Sequence, residues 1–189
     1  MKKGILIVLG VVLGLVLIMG MWAASGYNKL VSTSEAVPAA WSQVETVLQR
    51  RYDLVPNLVN TVKGYARHEK ELLTEVTKLR SQWGAAKTQS EKVSAANGME
   101  SALGRLMVVV EKYPDLKANQ NFIRLQDELA GTENRISVER MRYNATVNAY
   151  NVVVRRFPTN ILAGMFDFKK SGDYFKSEGE AKQAPKVNF

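Results

Sequence analysis

The chain of 189 residues contains no cysteine, one histidine and five prolines. Without cysteine there can be no disulfide, no thiolate nucleophile and no Cys-ligated zinc. The lone His68 is followed by Glu69, but no second histidine completes an HExxH zinc-protease motif. A Gly-x-Ser-x-Gly elbow, a Walker loop and a Gly-x-Gly-x-x-Gly fingerprint are all missing. Period-two alternation, the mark of a half-buried strand, is absent over any useful length. Charge is present but not gathered. The formal net charge is +8 and the pI is about 9.7, yet acidic residues interleave with basic ones throughout. A nucleic-acid footprint should cluster into a patch or stripe, so no nucleic-acid partner is expected. A mildly cationic surface suits anionic lipid headgroups better.

What the sequence does have is one long apolar run. GILIVLGVVLGLVLIMGMWAA, residues 4–24, carries neither charge nor proline. As a helix it spans about 31 Å, against roughly 30 Å of bilayer hydrocarbon. Trp22 and Tyr27 stand at its far end, where amphipathic aromatics favour the interface. Ala23-Ala24-Ser25 could pass for a signal-peptide cleavage site, but the run exceeds the ~7–15 residues of a signal core. A retained anchor is the expectation. Lys2 and Lys3 precede the run, and in the twenty or so residues after it Lys29 is opposed by Glu35. The positive-inside rule therefore places the N-terminus in the cytoplasm and the rest across the membrane. Gly10 and Gly14 form a Gly-x-x-x-Gly, which permits close approach of a second span.

Four regions follow from composition: a cytoplasmic N-terminus and anchor over 1–25, a juxtamembrane segment over 26–39, a helical bundle over 40–168, and a flexible polar tail over 169–189. From Trp41, steps of three and four meet Val44, Leu48, Arg51, Val55, Leu58, Val62, Tyr65, Glu69, Leu72, Val76, Leu79 and Trp83. That row predicts one long helix, kinked or broken near Val55 by Pro56. A second helix starts near Ser90 and carries Ala96, Met99, Leu103, Leu106, Val110 and Tyr113. A third runs from about Ala118 to Phe157, ahead of Pro158. The fold class is thus all-α: a transmembrane helix followed by an elongated antiparallel bundle of three to four long helices.

On the third helix Phe122, Leu129, Ile136, Tyr143, Tyr150 and Phe157 recur every seven residues and form a core row. Beside it Arg140, Asn144, Asn148, Asn151 and Arg155 form a polar stripe. Asparagine is poor helix material because its amide competes for backbone groups, so hydrogen bonding to a neighbouring helix or subunit is expected there. Arg51 and Glu69 occupy seam positions where apolar residues belong. Charges on a buried stripe are costly unless paired; with the asparagine stripe they are the candidate interface. Glu45, Asp53, Glu128, Glu133 and Glu139 could approach one another in a bundle. A di-metal site there would need Glu-x-x-His motifs, which one histidine cannot supply. No catalytic residue, metal or cofactor is expected.

The blocks AWSQVETVLQRRYDLVPNLVNTVKGYARHE, YPDLKANQNFIRLQDELAGTENRISVERMRYNATVNAYN and FPTNILAG resemble the LemA family of bacterial membrane proteins, across roughly residues 26–168. The resemblance implies a membrane-anchored helical bundle in the bacterial inner membrane and brings no catalytic residue. Some relatives are associated with specialised bacterial membranes, which fits a membrane-organising role. The functional expectation is a non-enzymatic scaffold that self-assembles as a homo-oligomer or docks an unidentified protein partner. The alternatives are a lipid-binding or membrane-remodelling protein, in which residues 160–168 (NILAGMFDF) return to the bilayer surface, and an envelope enzyme using Glu and Arg.

Overall fold

The structure is a computed structural model that describes residues 2–66, 68–172, 174 and 175. Among these residues it contains six helices and no strand: α1 (Lys2–Tyr65), α2 (Lys70–Ala85), α3 (Gln89–Val110), α4 (Pro114–Lys117), α5 (Gln120–Arg155) and α6 (Thr159–Met165). The all-α class read from the periodicity is the class observed. Most of the proposed tail, residues 173 and 176–189, lies outside the described residues.

Helix α1 runs through Pro38 and Pro56 without a break. The interruption expected near Val55 falls instead at Ala66–Glu69. Proline costs a helix interior about 3 kcal/mol, but Val55 and Leu58 on either side of Pro56 are fully buried, and their packing outweighs that cost. The actual turn is fixed by hydrogen bonds from Ala66 N to Val62 O (2.8 Å) and from Glu69 N to Ala66 O (3.2 Å). A three-four row that coincidentally continued through Tyr65 and Glu69 concealed it.

The chain divides into two compact units, residues 1–41 with 142–174, and residues 42–141 with 175–189. The second unit is a four-helix bundle. Its helix directions follow from its contacts. Gln49 and Tyr52 of α1 meet Trp83 and Arg80 of α2 in reverse order, and Arg51 and Tyr65 meet Glu133 and Asn119 likewise. Leu48, Leu58, Val62, Val76, Met99, Leu106, Phe122 and Ile136 fill its core. Tyr52 stacks on Trp83 with centroids 4.7 Å apart.

Each junction in this unit has a local cause. Thr88 and Glu91 form a reciprocal capping box at the start of α3. The two backbone N–H donors reaching Glu91, from Lys87 and Thr88, hold its carboxyl below the usual range. Pro114 opens α4 at the position where a missing N–H costs nothing. Asn119 Oδ1 accepts from the N–H groups of Asn121 and Phe122 and so starts α5.

The first unit is thinner. Its hydrophobic cluster is Leu30, Leu162 and Ala163, with Ala23, Val153, Val154 and Phe168 packed around it. Trp41 meets Tyr143 edge-on at 5.7 Å. Thr159 Oγ1 donates towards the carbonyls of Val153 and Arg156, both at 2.8 Å, and fixes the turn from α5 into α6. Helix α6 ends with Asp167 at φ 56° and a bond from Phe168 N to Ala163 O of 2.9 Å. This is a Schellman-type stop, with a short polar side chain in the left-handed position.

Candidate functional site

The expected site residues separate into two places. In the bundle, Arg51 is 2% exposed and forms an ion pair with Glu133. Arg140 pairs with Glu100 at 3.1 Å and lies 5.2 Å from the Phe175 ring centroid, a cation–π contact. Burial lowers the Arg51 pKa from its usual value, and Glu100 opposes that shift. Burial also pushes the Tyr52 phenol well above the ordinary tyrosine range. Arg51 Nη1, Tyr52 Oη, and Arg140 Nε and Nη2 are buried and make no hydrogen bond among the described residues. Glu69 lies in the α1–α2 turn, where Tyr113 donates to it at 3.1 Å.

In the first unit, Asn151 is 7% exposed and hydrogen-bonds the segment after α6. Its Nδ2 donates to Ser171 O and Tyr174 Oη, both at 2.9 Å, while its Oδ1 accepts from Ser171 N at 2.9 Å. Tyr150 Oη donates to Lys169 O at 2.8 Å. The asparagine and the tyrosine together fasten the segment that follows α6 onto α5. Asn144 is half-buried, whereas Asn148 and Arg155 are exposed. Asn148, Asn151, Arg155, Arg156, Lys170 and Tyr174 are among the residues lining a cleft of about 540 Å³.

Of the core row, Phe122, Leu129, Ile136, Tyr143 and Tyr150 are buried, but Phe157 is 75% exposed. The reason is local: α5 ends at Arg155, so the seven-residue step to Phe157 leaves the helical register. A Cβ added at Gly10 or Gly14 meets nothing within 4 Å, which leaves that face of the span open.

A larger cleft of about 1270 Å³ lies beside the α1–α2 turn, with Lys63, His68, Lys70 and Lys78 among its lining residues. Carboxylates line two smaller clefts. One holds Arg124 with Glu128; the other holds Arg50 with Glu45 and Asp53. Glu45 is paired with Lys92 and Asp53 accepts from Gln49 at 2.8 Å. Glu139 is half-buried. Among the described residues no three metal-ligating side chains converge.

The sequence reading passed over Arg156 and Lys170 in the first unit, and Tyr52 and Glu100 in the bundle. The first two had a visible signal, because Arg155-Arg156 and Lys169-Lys170 bracket the apolar piece NILAGMFDF. The second two had none: an exposed-looking Glu and one more aromatic give no sign of a buried arginine nearby.

An all-α chain whose first helix is long and apolar enough to cross a bilayer is of the membrane-associated class. The chain belongs to the LemA family, whose profile matches residues 40–189. It is 30% identical over 178 residues to magnetosome protein MamQ 2 of Paramagnetospirillum magneticum, an alignment covering 80% of this chain and 65% of that protein. It is 28% identical to magnetosome protein MamQ of Magnetospirillum gryphiswaldense, covering 79% and 64%. With protein LemA of Metamycoplasma hominis the identity is 25%, covering 81% and 70%. The chain thus spans slightly less than two thirds of the length of the magnetosome relatives.

Proposed function

We propose that this protein is a membrane-anchored, non-enzymatic scaffold of the bacterial cell envelope that assembles with copies of itself. The observation that carries this reading is α1. Within the first unit, α1 carries the apolar run over 4–24 directly into packing of Ala23 and Leu30 on Leu162 and Ala163, which supports an anchor that stays with the protein. In this reading the span sits in the inner membrane with the N-terminus in the cytoplasm, as its flanking lysines favour. The open face at Gly10 and Gly14 suits contact between two spans. On α5, Met141 is 62% exposed and Val138 38%, offering a second apolar contact. The magnetosome relatives favour a part in organising a bacterial structure.

The test is crosslinking in intact cells followed by purification of the assembly. A ladder of multiples of this chain is expected. Recovery of the single chain alone, with no partner attached, contradicts self-assembly.

A further inference from the structure

Helix α6 packs on α1 at the level where the apolar run ends. A Cβ on Gly26 would come 2.6 Å from Leu162 Cδ1, so the end of the Leu162 side chain packs directly over the α1 backbone there. Tyr27 meets Phe166 edge-on at 4.8 Å and Phe168 at 6.0 Å. Leu162 and Ala163 turn inward onto Leu30 and Ala23. From Ala24, the last residue of the run, Gly26 is about 3 Å along the helix axis and Leu30 about 9 Å. The headgroup layer on each side of the hydrocarbon is roughly 5–7 Å deep. If α1 crosses a bilayer, α6 therefore lies at the depth of the headgroups.

The outer side of α6 is apolar. Ile161 and Met165, one turn apart on α6, are 52% and 72% exposed, and Phe157 before the helix and Phe166 at its C-cap are 75% and 53% exposed. Exposed cations flank this stripe: Arg155 and Arg156 before it, Lys169 and Lys170 after it. The sequence from 155 to 175 opposes these four with Asp167 and Asp173; Asp167 is in an exposed ion pair with Lys169 at 3.1 Å. Arg155, Arg156 and Lys170 share the cleft described above. An apolar face flanked by cations is how a helix lies in a membrane surface, with its side chains in the acyl boundary and its cations on phosphates.

We infer that α6 and the residues beside it form an interfacial foot: the Ile161 and Met165 side chains, with Phe157 before the helix and Phe166 at its end, insert into the leaflet surrounding the anchor, while Arg155, Arg156 and Lys170 receive the phosphates of anionic phospholipids. The inference rests on the anchored reading of α1, and it gives the protein a second, lipid-selective hold on the same bilayer. Hydrophobic contact supplies the insertion; charge supplies the preference for one headgroup over another.

The absence of cysteine gives a clean test, since one introduced thiol is labelled uniquely. The full chain carries an environment-sensitive fluorophore at Met165→Cys, at Val12→Cys in the span, or at Ser101→Cys on an exposed position of α3. Each is reconstituted into vesicles of phosphatidylcholine and phosphatidylglycerol with brominated acyl chains. Quenching is expected at positions 12 and 165, with shallow bromines more effective than deep ones at 165, and none at 101. Quenching at 12 with position 165 behaving like 101 overturns the foot and leaves the anchor standing. No quenching at 12 overturns the anchored reading itself, and the foot with it.

A second arm uses R155Q/R156Q/K170Q in the labelled chain. Each cation removed should weaken the dependence of quenching at 165 on phosphatidylglycerol content about fivefold. An unchanged dependence overturns the role of these three cations.

Discussion

The two units of this chain are built on the same helices, α1 and α5, but keep their shape by different means. The bundle is a closed core of large aliphatic and aromatic side chains with a buried arginine inside it. The first unit has a small cluster at Leu30, Leu162 and Ala163, and relies on hydrogen bonds from Asn151 and Tyr150 to fasten the segment after α6. Most of the bundle's large side chains are buried, with Val108 and Met141 left exposed on separate helices; the first unit leaves Phe157, Ile161, Met165 and Phe166 outside in one stretch of ten residues. A contiguous exposed apolar stretch is unusual on a surface that meets only water, and this contrast is what the proposed interfacial foot rests on.

The largest effect should come from the bundle. Leu106 is fully buried, and Leu106→Ala should cost about 2–5 kcal/mol, read as a fall in the denaturation midpoint of the full chain in detergent. Leu162→Ala removes the same atoms from the first unit but should stand at the low end of that range, because α6 can shift to close the cavity. Equal losses at the two positions would erase the distinction between the units.

Asn151→Ala should come next. It removes three hydrogen bonds and leaves the Ser171 backbone groups without their partner, at about 1–3 kcal/mol. Hydrogen exchange should quicken at Ser171 while the amides of α3 keep their protection. Loss of protection across both units would show that they do not open separately.

Two smaller effects sharpen the account of the bundle. Thr88→Ala breaks the capping box and should cost about 1 kcal/mol. The partner Glu91 has a depressed pKa. Its contribution is therefore whole at neutral pH and is lost as pH falls through the acid range. The Lys87 and Thr88 backbone donors survive in the variant, so parent and variant should lose most of it together and the deficit should change little on acidification.

Tyr52→Phe should change stability at neutral pH by less than about 1 kcal/mol, since the buried hydroxyl has no partner to lose. The fold favours the neutral phenol. Its contribution is thus present below pH about 10, the ordinary tyrosine value, and is lost as pH rises towards the raised folded value. Phenylalanine cannot ionise, so an alkaline titration should show a flatter loss of stability in the variant than in the parent.

Much of this fold was legible because helical periodicity is a local signal. Ala96, Met99, Leu103, Leu106 and Val110 sit on α3 as their spacing implied, and the rows on α1 and α5 are buried over most of their length. The errors fell where tertiary packing overrode a local rule. Pro56 did not interrupt α1, because its neighbours are held in a core. The turn at Ala66–Glu69 was masked by a row that kept apolar spacing across it. A seven-residue count places Phe157 in the core because it does not register that the helix has stopped.

The candidate site was less legible. Asn151 stands in a stripe of look-alikes, and only the return of the chain through Ser171 and Tyr174 distinguishes it from Asn148. Arg51 could be singled out as a charge on an apolar seam, yet its partner Glu133 lies 82 positions away, and no spacing rule reaches so far.

The central claim is that this is an anchored, self-assembling protein. It is tested most directly by the mass of the full chain purified from membranes in mild detergent, with bound detergent subtracted by multi-angle light scattering. The account predicts a protein mass of two or more times 21.1 kDa, at a whole-number multiple. A single, concentration-independent mass of one chain, recovered from the soluble fraction as readily as from membranes, would contradict both halves of the claim.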